Sequence, residues 1–169
     1  MAFNLAQVHE AVAAANPDRP AIIWGDRRWT YQELTDRTRR FANALLERGI
    51  GVHRERDELA GHESGQDHVA LYLHNGNEYI EAMLGAYKAR VAPFNVNYRY
   101  VAEELRYLLN DAGASASSYH WAPGRRSAPV PSSTCRSTVS AGRSGSTSAR
   151  RSAKAEWNTM AVAPASLSR

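Results

Sequence analysis

Apolar residues recur at helical spacing near the start of the chain and then give way to two short extended runs. Residues 4–15 predict a first helix, capped by Asn4 and ended by Pro17. Its apolar face, which we expect to pack against a larger body, consists of Leu5, Val8 and Val12. Residues 21–24 and 27–30, separated by a Gly-Asp pair, predict a β-hairpin.

A second helix begins with a capping-box pattern. The Thr30 hydroxyl and the Glu33 carboxylate are placed to satisfy backbone donors in its first turn, and Gly49 ends it. The residues predicted to face the core are Leu34, Phe41, Ala42, Leu45 and Leu46. The arginines elsewhere on this helix are Arg37, Arg39, Arg40 and Arg48. We interpret Arg37, Arg39 and Arg40 as a solvated face rather than an anion site.

The middle of the chain follows the pattern of a parallel sheet. Residues 54–67 show no apolar face at either helical or strand spacing, and therefore predict an exposed excursion of the chain, that is, a surface loop. Residues 68–73 and 91–96 are mostly apolar, as strands covered on both faces are. Between them, a turn at residues 75–77 leads into a helix whose core positions are Tyr79, Ile80, Met83, Leu84 and Tyr87. This order predicts a right-handed parallel strand-helix-strand unit.

The regular pattern ends with a helix over residues 102–111, which turns Leu105, Leu108 and Leu109 inward and stops at Gly113. A further buried strand is expected next, because the sheet is still being built. Residues 115–120 nevertheless contain no apolar run, and no Phe or Ile follows them. Such a segment cannot bury enough apolar surface to offset chain entropy. The sequence therefore predicts an α/β domain over residues 1–114 and a disordered tail over residues 115–169.

Charge and serine content divide at the same boundary. Residues 1–113 hold 13 basic and 16 acidic side chains, whereas residues 114–169 hold 8 basic and 1 acidic. Ser64 is the only serine of the first part, but 14 of the 56 residues of the second part are serine. The net charge of +4 thus averages two unlike segments, which excludes a uniformly basic nucleic-acid binder.

Three further features set the expected compartment. No run of about 18 apolar residues predicts a membrane span, and the first residues lack the pattern of a secretory signal. Cys135 is the only cysteine, so no disulfide within the chain is expected. The cytoplasm is the expected location.

Histidines and acids suggest a metal site that the spacing does not support. His53, His62 and His68 lie among Glu55, Asp57, Glu58, Glu63 and Asp67, but they match no established ligand pattern. A solvated loop is the simpler interpretation. Residues 142–146 weakly resemble a phosphate loop, but no lysine follows them. We therefore assign no catalytic, cofactor-binding or metal-binding residue.

Other patterns also have a simpler alternative. Four Arg-Ser steps, which begin at Arg126, Arg136, Arg143 and Arg151, could bind RNA by charge. Their spacing is irregular and their aromatic neighbours are few, chiefly Trp121 and Trp157, so nucleic-acid binding is not favoured. Tyr79 and Tyr87 are more typical of a core than of a ligand pocket. The turn at residues 75–77 follows a strand, however, where α/β sheets place ligands.

The sequence motifs within these elements resemble those at the start of the AMP-forming acyl-CoA synthetases, the adenylate-forming ligase family. Residues 18–23 and then 29–34, which read Trp-Thr-Tyr-Gln-Glu-Leu, are similar to its opening signature. Residues 75–79 and 85–99 are similar to its second signature, in which the family commonly has Gly where this chain has Arg90. Residues 103–112 continue the match. Residues 62–68 resemble the actinobacterial branch that activates fatty acids and steroid side-chain acids.

The resemblance implies, over residues 3–114, a partial N-terminal domain of the adenylate-forming fold. It implies a ligase that uses ATP, Mg²⁺ and CoA to convert a fatty or steroid carboxylic acid to an acyl adenylate and then to an acyl-CoA. The family's phosphate loop, Mg²⁺ carboxylate and catalytic lysine lie beyond the matched region. No active-site residue is therefore transferred to this chain, which is expected to be inactive by itself and to bind none of these cofactors.

The composition of the tail suggests a shifted reading frame. Its richness in Ser, Arg, Ala, Pro and Gly is what translation of a GC-rich gene in another frame produces, and the change falls where a family strand is expected. The hypothesis is a frameshifted, truncated synthetase. Two alternatives stay open: a non-catalytic binding module whose basic tail binds RNA or a partner, and one half of a split ligase.

Overall fold

The chain folds into a small hairpin and a mixed sheet with helices packed on it. The computed structural model describes residues 4–120 and 160–164. The helices are α1 (Leu5–Ala15), α2 (Tyr31–Leu46), α3 (Asn77–Lys88) and α4 (Ala102–Asp111). The strands are β1 (Pro20–Trp24), β2 (Arg27–Thr30), β3 (His68–Tyr72), β4 (Ala92–Asn95), β5 (Ala114–His120) and β6 (Met160–Pro164). β1 and β2 pair with each other, and the larger sheet has the order β4-β3-β5-β6.

The predicted starting points of the first two helices are confirmed. The Asn4 side chain accepts a hydrogen bond from the Ala6 backbone N–H at 2.9 Å. At the start of α2 the Thr30 hydroxyl accepts from the Glu33 N–H at 3.2 Å, and the Glu33 carboxylate accepts from the Thr30 N–H at 2.9 Å. Both residues thus satisfy donors that the first turn of a helix leaves open.

Strand β3 is the centre of the larger sheet. It pairs in parallel with β4 on one side and with β5 on the other, so the predicted parallel strand-helix-strand unit is confirmed for β3, α3 and β4. Val69 and Leu71 belong to a cluster with residues of α2 and α3, whereas Ala70 packs with Leu105 of α4. Alternate residues of a strand point to opposite faces, so helices cover β3 on both sides.

Helices α2 and α3 approach each other closely because Gly85 has no side chain. A Cβ at Gly85 would lie 2.7 Å from Phe41 Cδ1 and 2.8 Å from the Thr38 backbone oxygen. The face of α3 that this contact buries also contains Ala82 and Ala86. Small residues at the crossing therefore allow the close distance between the two helices.

The prediction that residues 115–120 form no strand is wrong. These residues belong to β5, and Ala114, Ala116 and Ser118 are fully buried. The prediction relied on an apolar run, but β5 lies against closely packed helices and places small side chains at alternate positions. Met160–Pro164, also within the predicted tail, pairs antiparallel with β5. Residues 121–159 and 165–169 lie outside the described residues, so disorder there stays a prediction.

Several predicted faces are also wrong. On α1, Leu5, Val8 and Val12 are exposed and Ala6 and Ala13 are buried, because the helix meets α2 and α3 through its small residues. The exposed positions at helix ends or rims include Leu46 and Ile80. By contrast, the predictions for residues 54–67, which are largely exposed, and for the bounds of α4 are confirmed. Among the described residues, no helix combines the length and the hydropathy that crossing a membrane requires.

Candidate functional site

The carboxyl ends of β3 and β4 bring aromatic and imidazole side chains together. The ring centroids of His74 and Tyr98 are 4.5 Å apart, and the Tyr72 hydroxyl donates to the Tyr98 backbone oxygen at 3.2 Å. The Arg99 guanidinium lies 5.6 Å from the Tyr98 ring centroid. Open α/β sheets bind ligands at this edge, so these four residues, the carboxyl-edge cluster, form a candidate binding surface.

A buried ionic network lies next to the turn at residues 75–77. Arg37 donates from Nε to Glu81 Oε1 at 2.7 Å and from Nη2 to Oε2 at 2.8 Å, and Asn77 Nδ2 donates to Oε1 at 3.0 Å. Glu81 is 1% exposed and Asn77 2%. The interpretation of Arg37 as solvated is therefore wrong: its guanidinium is needed to compensate a carboxylate that α3 buries. Asn77, at the start of α3, adds a hydrogen bond within this network and is not accessible to a ligand.

Asp67, just before β3, connects three segments at the opposite edge of the sheet. Its carboxylate accepts from the Gly51 N–H at 2.8 Å, from His53 Nε2 at 2.7 Å and from the Ser115 hydroxyl. Burial by itself raises the pKa of Asp67, but the hydrogen bonds from Ser115, Gly51 and His53 outweigh it and hold the pKa below its usual value. The carboxylate therefore stabilises the return of the exposed excursion and the start of β5.

Glu10 of α1 lies between two cations. Its carboxylate accepts hydrogen bonds from Arg39 of α2 and from Lys88 of α3. Burial is the largest single effect and raises the pKa of Glu10, but the hydrogen bonds from Arg39 and Lys88 together outweigh it and lower the pKa. Burial and the positive charge of Lys88 lower the pKa of His9. The three helices thus meet at an ion-paired cluster of Glu10, Arg39 and Lys88.

This cluster is part of a groove of about 500 Å³. The apolar residues that line it are Ala6, Ala42 and Leu46. Its remaining lining residues are polar or charged: Asn4, Gln7, Glu10, Arg39, Asn43, Lys88 and Arg90. We call it the α1–α2 groove. Sequence reasoning missed it, because Glu10 and Lys88 are 78 positions apart and no local pattern links them.

The histidines weighed as metal ligands lie in separate places. His53 pairs with Asp67, whereas His68 contacts the Ala112 backbone oxygen at 2.6 Å and the Ser64 hydroxyl at 2.8 Å. His62 is exposed. Within the described part of the chain, no group of three or more His, Cys, Asp or Glu side chains could hold a metal ion. His53 and His68 thus form hydrogen bonds that hold segments of the fold together.

The remaining candidates divide between the core and the undescribed segments. Tyr79 packs against the main core cluster, as the core interpretation predicts, and burial raises the pKa of its hydroxyl. The phosphate-loop look-alike at residues 142–146, the four Arg-Ser steps, Cys135, Trp121 and Trp157 lie outside the described residues. The structure therefore tests neither the phosphate nor the RNA interpretation.

A parallel β-α-β unit with helices on both faces defines an α/β protein, and comparison with known proteins identifies which one it resembles. A family model described as AMP-binding enzyme matches residues 9–160. Because this match covers most of the chain, the chain belongs to the AMP-binding enzyme family. The family inferred from residues 18–34 and 75–112 is confirmed.

Several curated relatives are mycobacterial acyl-CoA ligases. The medium-chain acyl-CoA ligase Mig of Mycobacterium avium is 56% identical over 129 residues, which are 76% of this chain and 24% of that protein. The medium/long-chain-fatty-acid and 3-oxocholest-4-en-26-oate CoA ligase of Mycobacterium tuberculosis H37Rv is 39% identical over 112 residues, 66% of this chain and 18% of that protein. The predicted actinobacterial branch is thus confirmed. The chain spans about a quarter or less of the length of these relatives.

Solved structures share the fold. The N-terminal domain of FACL13 from Mycobacterium tuberculosis matches with a TM-score of 0.59 and 25% identity, over 70% of this chain and 27% of that chain. A benzoate CoA ligase from Burkholderia xenovorans LB400 matches with a TM-score of 0.57 and 26% identity, over 69% of this chain and 21% of that chain. The expected partial N-terminal domain of the adenylate-forming fold is confirmed.

Proposed function

We propose that this chain is the N-terminal scaffold of an acyl-CoA ligase that activates a medium-chain or steroid side-chain carboxylic acid. The acid's carboxylate attacks the α-phosphate of ATP and releases pyrophosphate, and the CoA thiol then attacks the acyl carbon and releases AMP. The observation that carries the proposal is the 56% identity to a medium-chain acyl-CoA ligase over 129 residues. A shared scaffold at that identity supports a shared class of reaction.

The role of the chain in that ligase is structural. Its buried residues form the β3-centred sheet, and its conspicuous polar groups, Asp67 and the Arg37–Glu81 pair, hold segments of the fold together. The groups that bind ATP, Mg²⁺ and CoA belong, in the family, to sequence beyond the region resembled here. The 169-residue chain alone is therefore proposed to be inactive, in the cytoplasm, with the fatty or steroid acid, ATP and CoA as partners of the complete ligase.

A pyrophosphate-release assay with ATP, Mg²⁺, CoA and a panel of fatty and steroid acids tests both parts. The isolated chain is expected to give no signal above a no-enzyme control, and turnover would overturn its inactivity. A chimera of the Mycobacterium avium ligase, with its matching segment replaced by this chain's residues 4–120, is expected to activate medium-chain acids. A folded chimera without turnover would contradict the scaffold role.

We still propose a shifted reading frame, but the position at which the frame changes lies later than Ala114. A matched stretch of 129 residues must end at residue 129 or later, so similarity to the ligase continues beyond Ala114. The serine-rich and nearly acid-free composition of the later residues still supports a change of frame after that point. Translation of the other two frames of the gene tests it: a family-like continuation is expected in one of them, and its absence from both would exclude the proposal.

A further inference from the structure

The turn that leads from β3 into α3 contains the only Asn-Gly step of the sequence, Asn75-Gly76. An asparagine that precedes glycine is chemically labile, because glycine has no Cβ to hinder the approach of its backbone nitrogen to the preceding side chain. Whether this lability is realised in the folded chain depends on two groups, the Asn75 side-chain amide and the Gly76 backbone N–H. Both must be free of other contacts.

The fold leaves the Asn75 side chain open. Asn75 is exposed, and its amide makes no hydrogen bond to any of residues 4–120 and 160–164. Asn77, two residues later, is the opposite case, since it is 2% exposed and its Nδ2 donates to Glu81 Oε1. Of the two asparagines in this turn, only Asn75 is thus free to rotate its amide towards the following backbone.

The Gly76 backbone nitrogen is also unengaged. Gly76 is the N-cap residue of α3, and the first N–H groups of a helix have no partner within the helix. Among the residues that the structure describes, none accepts a hydrogen bond from the Gly76 N–H. A hydrogen bond would hold this nitrogen in place and keep its lone pair from reacting, so its absence leaves the nitrogen available as a nucleophile.

The other asparagines of the described residues lack this combination. Asn4 and Asn97 accept hydrogen bonds from backbone N–H groups through their side-chain oxygens. Asn16 precedes Pro17, which has no N–H. The remaining ones precede residues that carry a Cβ: Asn43, Asn77, Asn95 and Asn110.

We propose that Asn75 is a modification site, at which the chain deamidates spontaneously through a cyclic imide. The Gly76 nitrogen forms a bond to Asn75 Cγ, the bond between Cγ and Nδ2 breaks, and Nδ2 leaves as ammonia with the proton of the Gly76 N–H. Water then opens the imide. The product is aspartate when water cleaves the bond from the nitrogen to Cγ, and isoaspartate when it cleaves the bond from the nitrogen to the backbone carbonyl carbon.

The modification changes the carboxyl end of β3. Either product adds a negative charge at position 75, next to His74 of the carboxyl-edge cluster. Isoaspartate also lengthens the backbone by one carbon directly before α3. The proposal rests on the chemistry of this turn and needs no ligase activity, so it can fail while the proposed function holds, and the reverse.

Incubation of the full 169-residue chain at mildly alkaline pH, followed by peptide mapping with mass spectrometry, tests the proposal. Deamidation is expected first at Asn75, with isoaspartate among the products, and faster as the pH rises, because the Gly76 nitrogen reacts after it loses its proton. Gly76→Ala should slow the reaction by about tenfold or more, since the new Cβ hinders the nitrogen. Alanine fits here, because the φ of −177° is open to any residue and the Cβ meets only the flexible Glu78 side chain.

Gly61→Ala is the matched control, because it makes the same replacement at an exposed glycine that follows alanine instead of asparagine. It should leave the rate of deamidation at Asn75 unchanged. Equal rates at Asn75 in the Gly76→Ala and Gly61→Ala chains would overturn the proposal. So would deamidation at Asn97 as fast as at Asn75 in the unaltered chain, or a product that is aspartate alone, which direct hydrolysis of the amide gives without an imide.

Discussion

At the scale of single residues, Arg90 departs from the family pattern at a position with a strained backbone. It has a φ of 59° at the end of α3, a conformation that favours Gly, which is why the family commonly has Gly there. Its guanidinium makes two hydrogen bonds to the Glu55 carboxylate, at 2.8 and 2.6 Å, but both side chains are half exposed. Such an exposed pair adds little to stability, so it hardly offsets the backbone strain.

Arg90→Gly and Arg90→Ala together isolate that strain. Both remove the ion pair with Glu55, but only glycine relaxes in the left-handed region, where other residues lose about 1 kcal/mol or more. The free energy of unfolding, measured by urea denaturation, should therefore be about 1 kcal/mol higher for Arg90→Gly than for Arg90→Ala. Equal stabilities of the two chains would mean that the backbone here is not strained.

Asp67 makes stability depend on acid pH. Because the folded state lowers its pKa, its contribution is fully present above the usual aspartate pKa and is lost as the pH falls through the lowered value. The unaltered chain should therefore lose free energy of unfolding steeply on acidification, and Asp67→Asn should lose less. Urea denaturation at several pH values measures this. Asp57→Asn, exposed in the same segment, is the control, and an unchanged pH slope for Asp67→Asn would contradict the prediction.

The distant partner of a charged side chain was not predictable from the sequence, and for Arg37 the predicted exposure was therefore wrong. The arginines of α2 look alike in sequence, yet Arg37 is buried against Glu81, 44 positions away, and Arg39 pairs with Glu10. Helical periodicity places a residue on a face but does not say which face meets another helix. Caps and turns were predictable, as at Thr30 and Glu33, because their partners are three residues apart.

At the scale of elements, helices and strands with strong local signals were predictable and β5 was not. Strands β3 and β4 carry apolar runs, and α4 has clear inward leucines. β5 instead alternates small buried residues, Ala114, Ala116 and Ser118, with half-buried ones. That period of two was a usable signal, but small side chains give it little hydrophobic contrast. Small residues also allow the close crossing of α2 and α3, where Gly85 faces Phe41 and Thr38.

Gly85→Ala is expected to destabilise that crossing. Its Cβ would lie 2.8 Å from the Thr38 backbone oxygen, so the helices must separate, at an expected net loss of about 1–3 kcal/mol that a better helix propensity only partly offsets. Gly61→Ala is the matched control, since nothing lies within 4 Å of its new Cβ. Thermal unfolding compares the two chains. A loss of stability no larger for Gly85→Ala than for Gly61→Ala would show that the α2–α3 contact accommodates the added Cβ.

At the scale of the whole molecule, the sheet decides where the folded unit ends. The composition boundary lies at Ala114, but β5 continues to His120 and pairs with every residue of β3. Composition reports the average chemistry of a segment, whereas a parallel sheet depends on a few backbone pairings and on the helices that cover them. The structural boundary is therefore later than the compositional one.

Two truncated chains distinguish these boundaries. A chain that ends after residue 113 loses β5, opens the edge of β3 and uncovers Val69 and Leu71, so it should aggregate or unfold without cooperativity. A chain that ends after residue 120 keeps β5 on β3 and loses only the edge strand β6, so it should keep a cooperative urea transition.

In the full chain, Ala116→Asp should cost about 3 kcal/mol or more, because it buries an uncompensated charge. Ser117→Asp, at a half-buried position of the same strand, should cost about 1 kcal/mol or less. Equal transitions for both truncated chains, together with equal effects of the two aspartates, would mean that β5 contributes nothing to the fold and that the domain ends at the compositional boundary.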